Sequence, residues 1–345
     1  MATRSRVALD AMGGDHAPKA LVQGALLAAE EYPDVDINLV GREEVLREHL
    51  GSNFPSSLTI TDAREVVDMT DNALAPLRRK RNSSIRVCAN LVAEGKADAM
   101  VSAGHTGAAM TSAYKVLGTI EGVSRPALAA VLPSAKGYVV LLDVGANVDA
   151  KPEYLREFAV MGHFYAQMLF GIDAPRVGLM SIGEEEGKGN ELTKETFRVL
   201  KETGLNFMGN AEGRDVFNGN MDVIVCDGFI GNVVLKASES LAEMMGKLIR
   251  EELTRSTTRK IGALLAKGAF ADIRKRTDYS EYGGAPLLGV NGGCIISHGR
   301  SSSKAIKNAI RVARDFISNR VDAKIREKIS DLHSREHDSG LLASS

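Results

Sequence analysis

Short apolar runs alternate with longer amphipathic segments along most of the chain. The apolar runs are typical of buried strands and cover Val7–Met12, Asp36–Val40, Leu58–Thr61, Ala99–Ser102, Tyr138–Val144, Val177–Ile182, Val223–Cys226 and Cys294–Ser297. Segments with helical periodicity lie between most of them: Ala20–Glu31, Glu43–Leu50, Ile85–Glu94, Glu153–Phe170, Glu191–Glu202, Val234–Glu252 and Lys304–Ser318. This alternation predicts a three-layer α/β fold, in which helices cover both faces of a mostly parallel sheet.

No internal repeat and no Pro/Gly/Ser-rich linker divides the chain. We therefore expect a single domain over residues 1–331, with two interleaved subdomains as the alternative. Its 345 residues, 44% of them hydrophobic, are enough for one large core. Residues 332–345 (LHSREHDSGLLASS) are polar and small, which predicts a flexible C-terminal tail.

Charge and cysteine usage exclude several classes of protein. Lys and Arg number 43 and Asp and Glu number 44, so nothing indicates a nucleic-acid partner. Cys88, Cys226 and Cys294 lie far apart, which argues against disulfides and thiolate metal sites and fits a reducing cytoplasm. No tight cluster of metal ligands, no signal-type run and no membrane-spanning apolar stretch is found.

Glycine-rich loops with small polar residues follow the predicted strands. They are DAMGGDH (10–16), SAGHTGA (102–108), DVGANVD (143–149), SIGEEEGKGNE (181–191), CDGFIGN (226–232) and NGG (291–293). In open α/β sheets the ligand lies beyond the carboxyl ends of the strands, and glycine lets a backbone N–H approach an anion closely. Six such loops on one presumed edge predict a site for phosphate or another oxyanion.

The first of these loops interrupts an apolar strand within ALDAMGGDHAP. Gly13 and Gly14 would open the backbone to an anion, Asp15 would cap the following helix, and Pro18 suits its first turn. His16 would donate a hydrogen bond to the bound anion. The spacing of the glycines fits neither a P-loop nor a dinucleotide fingerprint, and GxSxG is absent, so a nicotinamide-dependent dehydrogenase or a hydrolase elbow is not indicated.

Taken together, the motifs resemble one family. The motifs are ALDAMGGDHAP (8–18), SAGHTGA (102–108), RPALA (125–129), LLDVGAN (141–147), IGEEEGKGNEL (182–192), NAEGRD (210–215), CDGFIGNVVLK (226–236) and YGGAPLLGVNG (282–292). In this order, over residues 6–318, they resemble the PlsX family of phosphate acyltransferases. The resemblance implies an enzyme that transfers a long-chain acyl group from acyl carrier protein to inorganic phosphate, reversibly forming acyl phosphate for phospholipid synthesis.

The same resemblance implies a fold similar to isopropylmalate dehydrogenases and phosphotransacetylases, and no cofactor. It also implies a cytoplasmic homodimer attached loosely to the inner face of the cell membrane. There the acyl phosphate would pass to a glycerol-3-phosphate acyltransferase. A phosphotransacetylase acting on a short acyl-CoA, or a non-enzymatic anion-binding regulator of the same fold, remains an alternative.

Three residues are the candidates for catalysis. Lys188, between two glycines, would pair with phosphate or the oxyanion as a point charge, although it could equally balance the acidic run 184–186. Asn232 would donate its amide to the thioester carbonyl, unless it is an ordinary helix N-cap. His16 is the third. Because phosphate is itself a nucleophile and a thiol leaves easily, with a reference pKa of about 8.5, we expect direct attack and no acyl-cysteine at Cys226.

Further residues are candidates for substrate binding. They are Gly13, Gly14, Asp15, Ser102, Gly104, His105, Thr106, Gly107, Asn147, Asn190, Asp227 and Gly231. Residues 102–107 would form a second anion cradle, and Asn147 would orient either substrate. Asp227 is expected to hold a loop rather than to act as a base. His105 and Ile230 depart from the resemblance, since asparagine and threonine are expected there, so no chemical role is assigned to Ile230.

A basic amphipathic segment, RKIGALLAKGAFADIRKR, covers residues 259–276. Apolar residues at near-helical spacing are flanked there by arginines and lysines, a pattern that suits a membrane surface or the acidic carrier protein. Such a stripe also suits packing in the core or in a dimer interface. The sequence leaves these alternatives open.

Overall fold

The computed structural model describes residues 4–277 and 283–343 of the chain. The strands in these residues are β1 (Ser5–Asp10), β2 (Val35–Gly41), β3 (Leu58–Asp62), β4 (Ala99–Ser102), β5 (Ala127–Ser134), β6 (Gly137–Leu142), β7 (Val177–Met180), β8 (Phe207–Ala211), β9 (Val223–Val225), β10 (Ala285–Leu288) and β11 (Gly293–Ile296). The helices are α1 (Lys19–Glu31), α2 (Glu43–Leu50), α3 (Ala75–Arg78), α4 (Ser84–Ala93), α5 (Thr106–Leu117), α6 (Pro152–Phe170), α7 (Glu191–Lys201), α8 (Asp215–Asn218), α9 (Gly228–Thr254), α10 (Thr257–Leu265), α11 (Lys267–Thr277), α12 (Ser303–Ser318) and α13 (Val321–Ala343).

The strands join in one sheet in the order β3-β2-β1-β4-β11-β10-β5-β6-β9-β7-β8. Two parallel groups, β3-β2-β1-β4-β11 and β6-β9-β7-β8, flank a centre at which β10 and β5 pair antiparallel with their neighbours. The prediction of a mostly parallel α/β sheet is confirmed. The central antiparallel strands, β5 and β10, were not predicted.

The antiparallel centre means that the two parallel groups run in opposite directions. The register nevertheless places their carboxyl ends at one level of the sheet: Ser102 pairs with Ile296, Ile296 with Ala285, and on the other side Ala130 pairs with Leu141. The antiparallel pairing of β10 with β5 joins the two sides. Leu287 of β10 pairs with Leu128 of β5, so Ala285, two residues before Leu287, lies opposite Ala130, two residues after Leu128. The prediction that all the glycine loops share one edge is therefore wrong. Five of them form two groups that meet from opposite directions at the middle of the sheet, whereas NGG (291–293) lies at the amino end of β11 and belongs to neither group.

Helices cover both faces, as the three-layer prediction requires. Successive residues of one strand point into different cores: Ala8 packs in a cluster with α4 and α5, whereas Val7 and Leu9 pack against α1 and α12. In the second half, Leu141 joins the first of these clusters, and its neighbours Val140 and Leu142 pack against α6. This alternation buries the strands on both sides.

The C-terminal segment differs from its prediction. The sequence predicted a flexible tail from residue 332, but α13 continues as a helix to Ala343. The physical reason lies at its start, where Ile325, Ile329 and Leu332 are buried in the core cluster around α6. A helix so anchored continues through the following residues, which contain no proline.

The close contact of α1 with α12 gives the first test. A methyl group added at Gly24 would lie 2.6 Å from Ile306 Cβ and 2.8 Å from Ser303 O. Gly24→Ala should therefore lower the free energy of unfolding by about 1–3 kcal/mol, although alanine favours the helix. Gly262→Ala in α10, where a new Cβ would meet no atom within 4 Å, is the matched control and should not destabilise. Urea unfolding measures both, and a Gly24→Ala protein as stable as wild type would contradict this packing.

Candidate functional site

The first group of loops follows β1, β4 and β11. The backbones of Gly13 and Gly104 touch here, and Asp15 N donates to Gly299 O at 2.8 Å. We call this group the first cluster, made of residues 10–18, 102–107 and 297–301. Its centre is Asp10, the last residue of β1, which is 1% exposed.

Asp10 accepts a hydrogen bond from Ser102, which was expected to bind substrate. Ser102 Oγ donates to Asp10 Oδ2 at 2.7 Å, Met12 N donates to Oδ1 at 3.3 Å, and Gly104 N donates to Ser102 Oγ at 3.1 Å. Burial raises the pKa of Asp10, while hydrogen bonds from Ser84, Ser102 and the backbone of Met12 oppose the rise. Ser102 and Gly104 are buried. Both take part in a buried hydrogen-bond network, and their predicted role in binding substrate stays a prediction.

The exposed residues of the first cluster differ in part from their prediction. Asp15 does not cap α1, because that helix begins only at Lys19 and no side chain caps it. Asp15 and His16 are both exposed. His105 caps α5 by accepting from Ala108 N at 3.2 Å through Nδ1, which makes this nitrogen an acceptor. Thr106, exposed, begins α5.

The neighbouring glycines complete this account. Gly107 lies in the first turn of α5 and is half-buried, as is Gly14, whereas Gly13 is buried. The first N–H groups of a helix have no partner within it. The part of the first cluster that a ligand can reach therefore includes His16 and the start of α5, together with the exposed residues Asp15, His298 and Arg300.

The second group of loops follows β6, β7 and β9, and a buried aspartate again lies at its centre. Asp143 accepts hydrogen bonds from Leu128 N at 2.9 Å, Gly145 N at 3.2 Å and Ala146 N at 3.0 Å. It also accepts from Asn147 N at 2.6 Å and from Asn147 Nδ2 at 3.0 Å. Burial raises the pKa of Asp143, and these donors act against that rise. Asn147 is thereby held in place, and its amide is directed inward.

The start of α9 packs directly on this loop. Gly228 N donates to Asn147 O at 2.7 Å, and Asp227 caps the helix by accepting from Ile230 N at 2.9 Å. A Cβ at Gly231 would overlap the carbonyl oxygen of Asp143, so only glycine lets the helix approach this closely. Asp227 therefore caps the helix, and Gly231 permits the close packing; the predicted contact of Gly231 with substrate stays a prediction.

Asn232 lies in the second turn of α9, since the helix starts at Gly228 and not at Val233. It is therefore not the N-cap, which is Asp227. Its side chain is exposed, and the carbon atoms of that side chain lie 3.8 Å from the position of a Cβ at Gly145. Asn232 is thus presented at the surface of the second cluster, which we define as residues 143–149, 181–193 and 226–232.

Lys188 lies in the loop between β7 and α7. Two of the three acidic residues of the run 184–186 have other partners: Glu184 pairs with Arg214 and Glu186 with Lys201, each at 2.7 Å. Lys188 is exposed and takes part in no ion pair within residues 4–277 and 283–343. The third acid, Glu185, lies beside it, since a Cβ at Gly183 would meet Glu185 Oε2 at 3.0 Å and Lys188 Cγ at 2.9 Å. The anion-binding role of Lys188 and its role in balancing this acidic run therefore both stay predictions.

Asn190, predicted to bind substrate, caps α7 instead. Its Oδ1 accepts from Thr193 N at 2.9 Å and from Thr193 Oγ1 at 2.5 Å, and Asn190 N donates back to Thr193 Oγ1 at 3.1 Å. This reciprocal capping box fixes the loop that carries Lys188. Asn190 thus positions Lys188 through the backbone.

The structure divides the three catalytic candidates. Lys188 and Asn232 belong to the second cluster and His16 to the first. The strands that lead into the two clusters, β11 at Ile296 and β6 at Leu141, are three strand spacings apart, roughly 14 Å. The pKa of Glu243 on α9 is lowered mainly by Lys247 and also by the charge of Arg300, a residue of the first cluster. The prediction of one continuous anion cradle becomes a site with two halves.

Asp10 and Asp143 were not predicted as site residues. Both end an apolar strand and precede glycine by two or three positions, in LDAMGG and LLDVGAN. The sequence signal for both residues was an aspartate at the end of a buried apolar run, next to a glycine loop. Such a carboxylate needs hydrogen-bond donors, and the backbone N–H groups of the loop supply them. In the described part of the chain no group of three or more His, Cys, Asp or Glu residues is arranged to hold a metal ion.

Comparisons with known proteins agree with this architecture. Residues 5–324 match the family model described as fatty acid synthesis protein. Proteins named phosphate acyltransferase are 55% identical in Pelotomaculum thermopropionicum, over 95% of this chain and 96% of that protein, and 50% identical in Geobacter sulfurreducens, over 94% of each. The motif-based resemblance is therefore confirmed.

Solved structures show the same fold at low sequence identity. A phosphotransacetylase from Streptococcus pyogenes has a TM-score of 0.62 at 19% identity, over 92% of this chain and 95% of that one. A 4-hydroxythreonine-4-phosphate dehydrogenase from Klebsiella pneumoniae has a TM-score of 0.53 at 14% identity, over 91% and 98%. At these identities the likeness concerns the fold alone.

The hydrogen bonds to Asp143 give a direct test of how the second cluster is held. Asp143→Asn replaces one acceptor oxygen by a donor among N–H groups, so the free energy of unfolding should fall by about 2–4 kcal/mol. Asp149→Asn, an exposed change in the same loop, should leave it within about 0.5 kcal/mol. Urea unfolding compares the two. Equal stability of both variants would show that the Asp143 network does not hold the loop.

Proposed function

The chain belongs to the fatty acid synthesis protein family and is an acyltransferase, and on that premise we propose that it moves a long-chain acyl group from acyl carrier protein to inorganic phosphate. The product is an acyl phosphate for phosphatidic acid synthesis, and the reaction is reversible. Lys188 carries this proposal: it is an exposed cation that forms no ion pair within the described residues, and it lies in the loop that the Asn190 cap fixes.

The reaction is a direct displacement. A phosphate oxygen forms a bond to the thioester carbonyl carbon, the C–S bond breaks, and the sulfur leaves as the carrier's thiolate, which takes a proton from water. Lys188 binds the phosphate as a point charge and Asn232 donates its amide to the oxyanion that develops on the carbonyl. Both groups position and stabilise, which is sufficient for a nucleophile that is already anionic.

The first cluster binds the remainder of the donor in this proposal. His16 and the start of α5 belong to the other cluster, so in this proposal Lys188 binds phosphate and they contact the acyl donor. A thioester held on a carrier protein extends far enough to meet both. His16 is thus proposed as a substrate contact, and its expected catalytic role is not retained in this mechanism.

Helices α9 and α10 supply the proposed partner surfaces. On α9, Leu241, Met244 and Leu248 are exposed along one stripe, and on α10 Leu264 and Leu265 are 70% and 84% exposed. We assign the α9 stripe to a second copy of the chain, giving a homodimer. The α10 residues, with the basic side chains around them, are assigned to the inner face of the cell membrane, from the cytoplasmic side.

At this surface the acyl phosphate would pass to a glycerol-3-phosphate acyltransferase. The association is peripheral in this proposal. Among the helices of the described residues, none combines the length and the hydropathy that crossing a bilayer demands.

A phosphorolysis assay tests the proposed reaction. Purified protein is incubated with palmitoyl-acyl carrier protein and phosphate, and acyl phosphate is trapped with hydroxylamine. Lys188→Ala should lower kcat/KM by about 100-fold or more, because an electrostatic contact to the reacting groups is lost. Lys194→Ala, an exposed lysine on α7, is the matched control and should stay within about twofold.

The donors separate the alternatives in the same assay. Product from the carrier-bound palmitoyl group alone supports the proposal, whereas product from acetyl-CoA indicates a phosphotransacetylase. No product from either donor would favour an anion-binding regulator. Full activity of Lys188→Ala would overturn the role of this lysine.

Cys226 gives an independent test of direct attack. Its thiol is buried, burial raises its pKa well above the usual range, and Sγ contacts Asp143 O at 3.6 Å. We predict that Cys226→Ala keeps kcat within about threefold, and that iodoacetamide does not modify Cys226 in the folded protein. Loss of activity in a variant with an unchanged circular dichroism spectrum would indicate an acyl-cysteine intermediate instead.

A further inference from the structure

A cavity of about 480 Å³ lies beneath the loop that carries Lys188. Its floor is formed by Leu155 of α6 and Leu179 of β7, each 1% exposed, and its walls by Leu192 of α7 and Ile230 of α9. The lining is thus apolar over most of its extent and comes from four different elements. A cavity of this size and character is typical of a site that buries a small ligand or part of a longer one.

Polar groups line the cavity beside the loop. Ser181 Oγ is buried and has no hydrogen-bond partner among the described residues, although Ser181 lines the cavity. Gly189, the residue after Lys188, also lines it and approaches so closely that an added Cβ would lie 2.9 Å from Ser181 Oγ. A buried hydroxyl without a partner is costly unless a ligand or water satisfies it.

The charge of the lining excludes phosphate as the occupant. Asp227, the cap of α9, contributes to the wall, and no Lys or Arg does. A phosphate dianion placed there would meet a carboxylate across an apolar space, where like charges repel strongly. Lys188 lies outside, in the loop that covers the cavity. A ligand with an apolar tail and a carbonyl group fits this lining: the tail packs against the apolar side chains, and the carbonyl group lies at the mouth of the cavity.

We propose that this cavity receives the fatty acyl chain, with the thioester carbonyl at its mouth and the carbons beyond the first few inside. The inference rests on the proposed function and adds a location for the chain. The acyl tail fills the space between Leu192 and Ile230, Ser181 Oγ donates to the carbonyl end, and Lys188 holds phosphate on the outer side. Ile230 thereby acquires a role in chain specificity, although the sequence suggested none.

Narrowing the cavity tests this assignment. Leu192→Phe and Ile230→Phe are compared with wild type on butyryl, octanoyl, dodecanoyl and palmitoyl carrier thioesters. Both should lower kcat/KM for the long chains by about tenfold or more and leave butyryl within about twofold, because only the longer chains meet the added ring. Met69→Phe, an exposed apolar site outside the cavity, is the control and should alter no chain selectively.

The two proposals fail in different ways. If wild type forms acyl phosphate but Leu192→Phe and Ile230→Phe reduce all chain lengths equally, the cavity does not hold the chain while the proposed function stands. If wild type forms no acyl phosphate from any thioester, the proposed function fails and the cavity inference falls with it. Using two positions on separate helices protects the test against one variant that does not fold.

Discussion

The structure of the site depends on one buried carboxylate. Asp143 accepts five hydrogen bonds from the start of β5 and from the loop that follows β6. The loop so fixed is the surface on which the first turn of α9 packs through Gly228 and Gly231. The position of Asn232 therefore follows from Asp143, although the two side chains serve different purposes. An unpaired carboxylate at this depth would be very costly, so the loop and the aspartate specify each other.

A second buried carboxylate, Asp10, organises the other half of the site in the same manner. In both halves the carboxylate engages backbone N–H groups that glycine loops might otherwise offer to an anion. This changes how the glycines are understood. They permit close packing around two aspartates, and we assign the recognition of a substrate anion to side chains that remain exposed, Lys188 above all. Capping boxes and N-caps then hold those side chains in place.

Much of the fold was predictable because its parallel strands and long helices have clear periodicity. The bounds of α2 and β4 agree with the predicted Glu43–Leu50 and Ala99–Ser102. The central strands were missed for physical reasons: β10 has four residues, and β5 is rich in alanine and contains Pro133, which local pattern does not mark as strand. Their antiparallel pairing depends on tertiary structure, which local sequence does not show. Because of it, the glycine loops that were predicted to share one edge of the sheet form two clusters.

The site was predictable as a set of residues but not as a geometry. Lys188 and Asn232 were recognised from their glycine-flanked motifs and do lie in one cluster. Ser102, Asn190 and Gly231 looked similar in sequence, and the structure shows contacts that the motifs did not reveal: a bond to Asp10, a helix cap and a close helix packing. The opening MGGDHAP stretch was the most conspicuous motif, yet it belongs to the half of the site that we do not assign to phosphate.

Phosphate binding, measured by titration calorimetry on the free enzyme, tests this central claim most directly. The account predicts that phosphate binds wild type and His16→Ala with similar affinity and that Lys188→Ala loses most of that affinity. Binding that is lost in His16→Ala and retained in Lys188→Ala would place phosphate in the opening glycine loop and contradict the account.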